Sequence, residues 1–332
     1  MHVRLRPVAL VLAAALPLAA CGGGTDSDTA ADAVRASSIT HAFGSTELPA
    51  DPQRVVTWGW GSADAAIALG VVPVAIPAQA YGGDDQGVLP WLRERLEADG
   101  EQVPEVLPDT QEVPVEAIAA AEPDLILAPY SGITETEYAQ LSRIAPTVAY
   151  PEQAWATPWR DTIRIVGQAL GRSDEAEALL ADIDATVAEQ AAAHPEFQGK
   201  SIALVASTPD AFYVYKPADP RVEFVLDLGF TSAESVDALA SGDDTFFYTL
   251  STERLAELDS DVLVSYAASQ AEADAFLSSP QAQLLPQVAR GAVASVVGTE
   301  LVASVSPPTA LSLTWALEEY VAVLSEAAQA AG

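Results

Sequence analysis

Short apolar runs alternate along the chain with segments in which apolar residues recur every three or four positions. In the first half, the runs at 54–58, 71–76 and 125–130 predict β-strands, and the segments at 62–70 and 114–124 predict helices. Strands that alternate with helices are typical of parallel sheets. Side chains that bind ligand are then expected in the loops that follow the strands.

Two consecutive helical segments divide the chain. Residues 157–171, with Thr157 as a candidate N-cap, and residues 173–193 both predict helices. The alternation then starts again with a strand at 201–207 and a helix at 221–230. The pattern therefore predicts one α/β half on each side of a helical connection.

A repeated segment supports the division into two halves. Residues 114–127 align with residues 251–264 without a gap. Each segment has a glutamate at its third position, Glu116 or Glu253, and an aspartate just before a strand. A match of this kind in each half indicates two similar lobes.

The N-terminal residues have the layout of a secretory signal peptide. Two arginines precede an apolar run at 8–20, which is shorter than the roughly 20 residues needed to span a bilayer. The residues Leu-Ala-Ala-Cys at 18–21 resemble the lipobox of bacterial lipoproteins. This resemblance implies that Cys21 carries a lipid and becomes the first residue of the mature protein. An ordinary secretory signal that leaves Cys21 as a free thiol is the alternative.

The acidic composition restricts the partners of the protein. The chain has a net charge of −32, and removal of residues 1–20, which contain two arginines and no acidic residue, changes it to −34. Such a surface repels nucleic acid and anionic lipid headgroups, so we expect contact with the membrane only through Cys21. With one cysteine, the chain forms no internal disulfide.

Common metal and catalytic motifs are missing from the sequence. The mature chain has two histidines, His41 and His194, and neither lies in a predicted strand-end loop, which argues against a zinc or manganese site. Gly-Lys-Ser at 199–201 lacks the first glycine of a phosphate-binding loop. Ser131 has no evident histidine partner, so we expect neither an enzyme nor a cofactor.

Four stretches carry a resemblance that covers nearly all of the mature chain. In order, they are ITHAFGSTELPADPQRVVTWGWGSADAAIALGVVPVAI, VEAIAAAEPDLILAPYSGITETEYAQLSRIAPTVAYP, TPWRDTIRIVGQALG and LSTERLAELDSDVLVSY. Their order and spacing resemble the iron-siderophore substrate-binding lipoproteins of bacterial ABC importers. The resemblance implies an α/β fold of two Rossmann-like lobes, with central parallel sheets, joined by a long helix and with the ligand cleft between them.

The resemblance also implies an organisation and a function for the whole chain. The segments are a signal peptide at 1–20, a flexible tether at 21–37, a first lobe at 38–153, linking helices at 154–195 and a second lobe at 196–332. We expect a monomer, lipid-anchored on the extracytoplasmic face of the bacterial cell membrane, that captures a ferric siderophore and delivers it to an ABC importer permease. The strongly negative charge favours a neutral or cationic chelate of the hydroxamate type.

Two glutamates are candidates for docking to the permease. In the family, one glutamate on the outer rim of each lobe pairs with arginines of the permease. The matching positions are Glu116 and Glu253, the pair found in the repeated segment. The alternative is that both are ordinary first-turn glutamates, favoured by the helix dipole.

Aromatic residues collect where the ligand is expected. Flat side chains with hydroxyl or indole donors suit a bulky chelate, and Arg221 is a candidate donor to its oxygens. The candidate aromatic contacts are Trp60, Tyr81, Trp91, Tyr130, Tyr213, Tyr215, Phe246, Tyr248 and Tyr266. For each ring, packing in the core is the alternative.

Three other functions stay open from the sequence. Haem or a corrinoid would also suit an aromatic cleft. An envelope hydrolase acting on siderophore esters would need an activated nucleophile, for which Ser131 is the candidate. A purely structural lipoprotein would have no cleft.

Overall fold

A computed structural model of the chain describes residues 37–110, 112–208, 210–242 and 246–332. The predicted signal peptide, the lipid attachment site Cys21 and all of the tether before residue 37 lie outside these ranges. No helix within them is both long and apolar enough to cross a bilayer.

The first half is built on a five-stranded parallel sheet. Its elements are β1 (Ser38–His41), β2 (Gly44–Glu47), β3 (Val55–Thr57), α1 (Ser62–Ala68), β4 (Ala75–Pro77), α2 (Pro90–Asp99), β5 (Glu105–Leu107), α3 (Val115–Ala120), β6 (Leu125–Leu127), α4 (Glu135–Leu141) and β7 (Thr147–Val148). The strand order is β5-β4-β3-β6-β7, and β1 and β2 form a separate hairpin. The strands β3, β4 and β6 are buried throughout, which explains their uninterrupted apolar sequences.

Two helices follow the first sheet, α5 (Trp159–Ala169) and α6 (Ser173–Ala193). They match the two helical segments of the sequence. Arg160 in the first turn of α5 pairs with Asp184 of α6 at 2.6 Å and with Glu223 and Asp227 of the second half at 3.0 and 2.8 Å. These ion pairs fasten the linking helix to the second half.

The second half contains a mixed sheet. Its elements are a 3-10 turn (Pro195–Phe197), β8 (Ser201–Ser207), β9 (Phe212–Tyr215), α7 (Pro220–Asp227), β10 (Thr231–Ser232), α8 (Glu234–Leu239), β11 (Phe247–Thr249), a 3-10 helix (Thr252–Glu257), β12 (Val262–Ala267), α9 (Gln270–Ser278), a 3-10 turn (Ala282–Leu284), α10 (Pro286–Arg290), β13 (Val293–Val297), α11 (Thr299–Val305) and α12 (Ser312–Ala330). The order is β11-β9-β8-β12-β13, with β10 beside β8. Strands β8, β12 and β13 are parallel as expected, whereas β9 is antiparallel to both β8 and β11.

Two local expectations differ from the structure. The strand assigned to 71–76 begins only at Ala75, because Pro73 interrupts the run and cannot donate to a sheet. Thr157 does not cap α5; its hydroxyl donates to the carbonyl oxygen of Pro129 at 2.6 Å, and Pro158 occupies the cap position without a side-chain hydrogen bond.

The repeated segment occupies equivalent positions in the two halves. Asp124, just before β6, accepts hydrogen bonds from the backbone N–H groups of Gln53 and Arg54 at 2.7 and 3.0 Å. Asp261, just before β12, accepts one from the backbone N–H of Ser201 at 2.7 Å. In both halves the aspartate thus fastens the start of the neighbouring parallel strand, which supports the similarity seen in the sequence.

One hydrophobic core runs through both halves. It contains buried side chains of the first sheet, such as Val55, and of the second sheet, such as Leu204. Side chains of α5, including Ile163 and Val166, lie in the same cluster. The linking helix is therefore packed into a shared core along its length, and not exposed as a free hinge.

Candidate ligand-binding site

The first half contributes aromatic side chains from the loops after β3 and β6. The backbone N–H of Trp60 donates to the carbonyl oxygen of Tyr130 at 3.0 Å, so the two loops lie side by side. Tyr130 is 7% exposed. Burial raises the pKa of its hydroxyl, and the charge of Asp219 in the second half adds to the increase. Tyr130 thus lies where the two halves face each other.

A tryptophan that sequence analysis did not select lies beside Tyr130. The rings of Trp155 and Tyr130 meet edge to face with centroids 5.7 Å apart, and Trp155 is 42% exposed. Its backbone has a φ of 57°, a left-handed conformation that is unfavourable for a bulky residue and recurs at functional sites. A Cβ on Gly132 would overlap the Trp155 indole nitrogen, so glycine leaves room for the ring. The preceding strand, β7, has only two residues, too few for the sequence pattern to reveal.

The second half contributes an arginine held between a carboxylate and a ring. Nε and Nη2 of Arg221 each donate to one oxygen of the fully buried Asp219 at 2.7 Å. The guanidinium carbon lies 3.8 Å from the ring centroid of Tyr215, and Nη1 donates to the Ser306 hydroxyl at 3.1 Å. Burial alone would lower the pKa of Arg221, but its hydrogen bonds to Asp219 and the charge of that carboxylate raise it. Arg221 and Asp219 therefore form an ion pair with no net charge.

Further rings surround Tyr215. The centroid of the Tyr215 ring lies 6.4 Å from that of Tyr266. Phe247 contacts two further rings edge to face, with centroid distances of 5.6 Å to Tyr213 and 4.9 Å to Phe246. All five side chains are partly exposed. Burial raises the pKa of the Tyr215 and Tyr266 hydroxyls, so both are protonated at neutral pH. The structure thus brings together Tyr213, Tyr215, Phe246, Tyr266 and Arg221 from the predicted set.

Two of the predicted contacts lie in the core instead. Trp91 is 2% exposed, and its indole nitrogen donates to Oδ1 of Asp64 at 2.6 Å. Tyr248 is 1% exposed, because alternate residues of β11 point to opposite faces and Phe247 takes the outward position. Neither side chain is available to a ligand.

Tyr81 lies in the loop after β4 and is 45% exposed. Burial is the main cause of a raised pKa of the Tyr81 hydroxyl, and the charge of Glu272 in α9 raises it further. A side chain of the first half is therefore close enough to the second half for their charges to interact. A large exposed ring in this position is free to contact a ligand between the halves.

A groove of about 700 Å³ lies on the second half, next to Tyr266. Its volume falls within the roughly 300–1,000 Å³ of typical ligand pockets. The described residues that line it include three carboxylates and no basic side chain. The three carboxylates belong to Asp210, Glu253 and Glu272, and the lining also includes the rings of Phe212, Tyr266 and Phe276.

The two predicted docking glutamates are both exposed. Glu116 lies in the first turn of α3, and Glu253 lies in the first turn of the 3-10 helix at Thr252–Glu257. A backbone hydrogen bond and one from Ser251 lower the pKa of Glu253, so this carboxylate is ionised at neutral pH. The sequence repeat predicted their equivalent positions, although the second helix is of the 3-10 type.

Of the residues considered for metal binding or catalysis, His41 and Ser131 are both buried. Within the described ranges, no group of three or more His, Cys, Asp or Glu residues is placed to hold a metal ion. His41 is buried and bonds to the hydroxyl of Thr46 at 2.9 Å. Ser131 is fully buried, and its hydroxyl donates to the carbonyl oxygen of Ala128 at 2.9 Å, so it is not placed to attack a substrate.

Comparison with known proteins identifies relatives for most of the chain. Residues 55–296 match the family model described as periplasmic binding protein. The chain is 30% identical over 257 residues to the probable siderophore-binding lipoprotein YfiY of Bacillus subtilis (strain 168), which covers 76% of this chain and 75% of the relative.

Two further relatives are described together with the ligand that they bind. The crystal structure of PiaA from Streptococcus pneumoniae TIGR4 in complex with ferrichrome has a TM-score of 0.82 and 35% identity, and the match covers 89% of this chain and 99% of that one. The iron(3+)-hydroxamate-binding protein YxeB of Bacillus subtilis (strain 168) is 26% identical over 61% of this chain and 56% of the relative.

Proposed function

The chain belongs to the periplasmic binding protein family, and we propose that it captures a ferric siderophore of the hydroxamate type and delivers it to an ABC importer. The observation that carries this proposal is the set of partly exposed aromatic rings that both halves contribute. Trp155 and Tyr81 come from the first half, and Tyr215 and Tyr266 come from the second. Such a surface suits a bulky chelate with an apolar exterior.

The charges around the cleft support a neutral or cationic chelate. Arg221 offers a hydrogen-bond donor, but its charge is balanced by Asp219. Asp210 and Glu272 make the adjoining groove negative. A triply anionic catecholate would be repelled by these carboxylates, whereas a ferric hydroxamate would not. The ferrichrome complex of PiaA and the name of YxeB agree with this choice.

Anchoring and delivery complete the proposal. Cys21 attaches the protein to the outer face of the cell membrane, in agreement with the lipoprotein name of YfiY. Glu116 and Glu253, one on each half, dock on arginines of the permease. Because α5 is packed into a core shared by both halves, closure on the ligand is small. The permease then opens the cleft to release the ligand.

The alternatives receive less support. Histidine ligation of a haem has no support, because His41 is buried beside Thr46 and His194 bonds to Glu196 at 3.0 Å, so a haem would have to use a tyrosine of the cleft as its axial ligand. A hydrolase needs an accessible nucleophile, whereas Ser131 is buried.

Quenching of tryptophan fluorescence tests the ligand class. The probes are ferrioxamine B, its N-acetylated derivative, ferrichrome, a ferric tris-catecholate and haemin. We expect binding of the three hydroxamates, with ferrioxamine B tighter than its acetylated form because only the former carries an ammonium group. A protein that binds the catecholate or haemin and ignores all three hydroxamates would refute the proposal.

Uptake assays test docking separately. Glu116→Ala and Glu253→Ala should each reduce import of the bound chelate while leaving its affinity unchanged. Glu318→Ala, an exposed glutamate of α12, is the matched control and should transport normally. Normal uptake by the double variant Glu116→Ala/Glu253→Ala would exclude the docking role.

A further inference from the structure

The loop at 306–311, here called the crossover loop, joins the halves at a second place. It connects α11 to α12, and α12 packs on the second sheet. Its contacts nevertheless reach the first half, since the indole nitrogen of Trp60 donates to the carbonyl oxygen of Pro307 at 2.9 Å. Just beyond the loop, the indole nitrogen of Trp315 donates to Glu94 of α2 at 3.1 Å.

A buried carboxylate holds this loop against the first half. Asp64 in α1 is 2% exposed, and its Oδ1 accepts hydrogen bonds from the hydroxyl of Thr309 and from the indole nitrogen of Trp91. Burial raises the pKa of Asp64, and the two hydrogen bonds partly offset the increase. Neither donor carries a charge. Burying a carboxylate without a cationic partner is unfavourable, so the hydrogen bonds from Thr309 and Trp91 are what stabilise Asp64 at this position.

The same loop contacts a proposed ligand-binding residue from each half. Pro307 holds Trp60 of the first half, and the adjacent Ser306 accepts a hydrogen bond from Nη1 of Arg221 in the second half at 3.1 Å. Two neighbouring residues of the loop therefore contact Trp60 and Arg221. Thr309 lies two residues further along the chain.

The space around the loop is closely filled. The pocket lined by Trp60, Thr162, Pro220 and residues 307–310 leaves only about 10 Å³ for solvent, roughly the room that one water molecule needs. Close packing transmits a shift of one group to its neighbours. Movement of Thr309 away from Asp64 would therefore displace Pro307 and the indole of Trp60 with it.

We propose that Asp64 and Thr309 are positioning residues for ligand capture, because their hydrogen bond fixes the crossover loop and thereby the spacing of Trp60 and Arg221. This inference rests on the proposed function. It adds two residues that need not touch the ligand, and it assigns the C-terminal segment a part in binding.

Three variants measure the effect on affinity. Thr309→Val removes the hydroxyl and keeps the shape, and we expect about tenfold weaker binding of ferrioxamine B. Thr309→Ser retains the hydroxyl and should restore affinity to within about twofold. Thr162→Val is the matched control, since Thr162 is also buried and lines the same pocket, but its hydroxyl donates locally, to the carbonyl oxygen of the cap residue Pro158 at 3.3 Å. Its affinity should equal that of the wild type.

NMR signals of the tryptophan indole N–H groups test the positioning without any ligand. Thr309→Val should shift the indole signal of Trp60, which is assigned with the variant Trp60→Phe, and Thr162→Val should leave that signal in place.

If Thr309→Val is too unstable to study, the same substitution is made in an Asp64→Asn background. The asparagine carries no charge, so the loss of the Thr309 hydroxyl donor costs less stability there. An unmoved Trp60 signal in the valine variant, or equal loss of affinity in the valine and control variants, would overturn the inference. If the wild type binds no chelate but the Trp60 signal shifts, the proposed function fails and the positioning stands.

Discussion

Replacing Arg221 with methionine should destabilise the protein by about 4 kcal/mol, because it leaves a buried carboxylate without its partner. Asp219 is fully buried and accepts two hydrogen bonds from the Arg221 side chain at 2.7 Å each. After the substitution, the backbone N–H of residue 221, now 2.8 Å from the carboxylate, would remain as a donor. Methionine is long enough to fill most of the space beside Tyr215.

The magnitude follows from the burial of the pair. The side chains of Arg221 and Asp219 are 12% and 0% exposed, so solvent screens their interaction weakly. Removing one partner of such a pair typically costs about 3–5 kcal/mol. The substitution also removes the stacking of Arg221 on Tyr215, but this loss is not added separately, because contacts of one side chain are not additive. Replacing both partners, as in Asp219→Asn/Arg221→Met, should cost about 1 kcal/mol, since no unpaired charge is left.

Urea unfolding of the wild type, both single variants and the double variant gives the coupling energy between the two side chains. We expect a coupling of at least about 3 kcal/mol, because the double variant recovers that much of the loss seen in Arg221→Met and the loss in Asp219→Asn adds to it. Ferrioxamine B binding by the double variant then isolates the donor role of Arg221 from its role in stability. A loss below about 1 kcal/mol for Arg221→Met would show that Asp219 does not depend on the arginine, and the neutral-pair argument for the ligand class would fail with it.

Three further predictions test other parts of the site and fold. Gly132→Ala should displace the Trp155 ring and weaken ferrioxamine B binding by about 1 kcal/mol, with little effect on urea unfolding because the ring is already 42% exposed; unchanged affinity would remove Trp155 from the site. Burial lowers the pKa of His41 below its ordinary value of 6.5, so the unfolded chain binds the extra proton first and stability should fall as the pH drops below about 6.5. Urea midpoints between pH 8 and 5 should show this fall in the wild type and a smaller one in His41→Gln. Tyr248→Phe removes a buried hydroxyl that has no partner among the described residues, so it should leave affinity unchanged and stability equal or up to about 1 kcal/mol higher; a clear loss of affinity would return Tyr248 to the cleft.

Three of the five strands of the first sheet were predictable, because β3, β4 and β6 are buried and mostly apolar. β5 begins with the exposed Glu105 and β7 has only two residues, so neither was recognised. The antiparallel strands of the second sheet were not recognised. In the sequence Phe-Tyr-Val-Tyr at 212–215, Phe212 and Val214 are buried whereas Tyr213 and Tyr215 are partly exposed, and aromatic residues of this kind equally suit a ligand-binding loop. Only the pairing of β9 with its neighbours shows that these residues form a strand and direct both tyrosines to the same face.

The position of a residue after a strand did not determine the direction of its side chain. Trp91 follows β4 in the sequence as Tyr81 does, yet it begins a helix whose inner face packs into the core. Asp64 could not be identified from its surroundings either, because a carboxylate in the first turn of a helix is ordinary. Its two donors, Trp91 and Thr309, are 27 and 245 residues away along the chain.

The shared core around α5 has a practical consequence for biosensor design. Reporters that measure the distance between two fluorophores require large hinge motion, and two halves packed on one helix with common buried neighbours resist such motion. A single environment-sensitive dye beside the exposed ring of Tyr81 would register the arrival of a chelate through the loss of surrounding water. For this architecture, the change in local polarity is the more useful signal to convert into light.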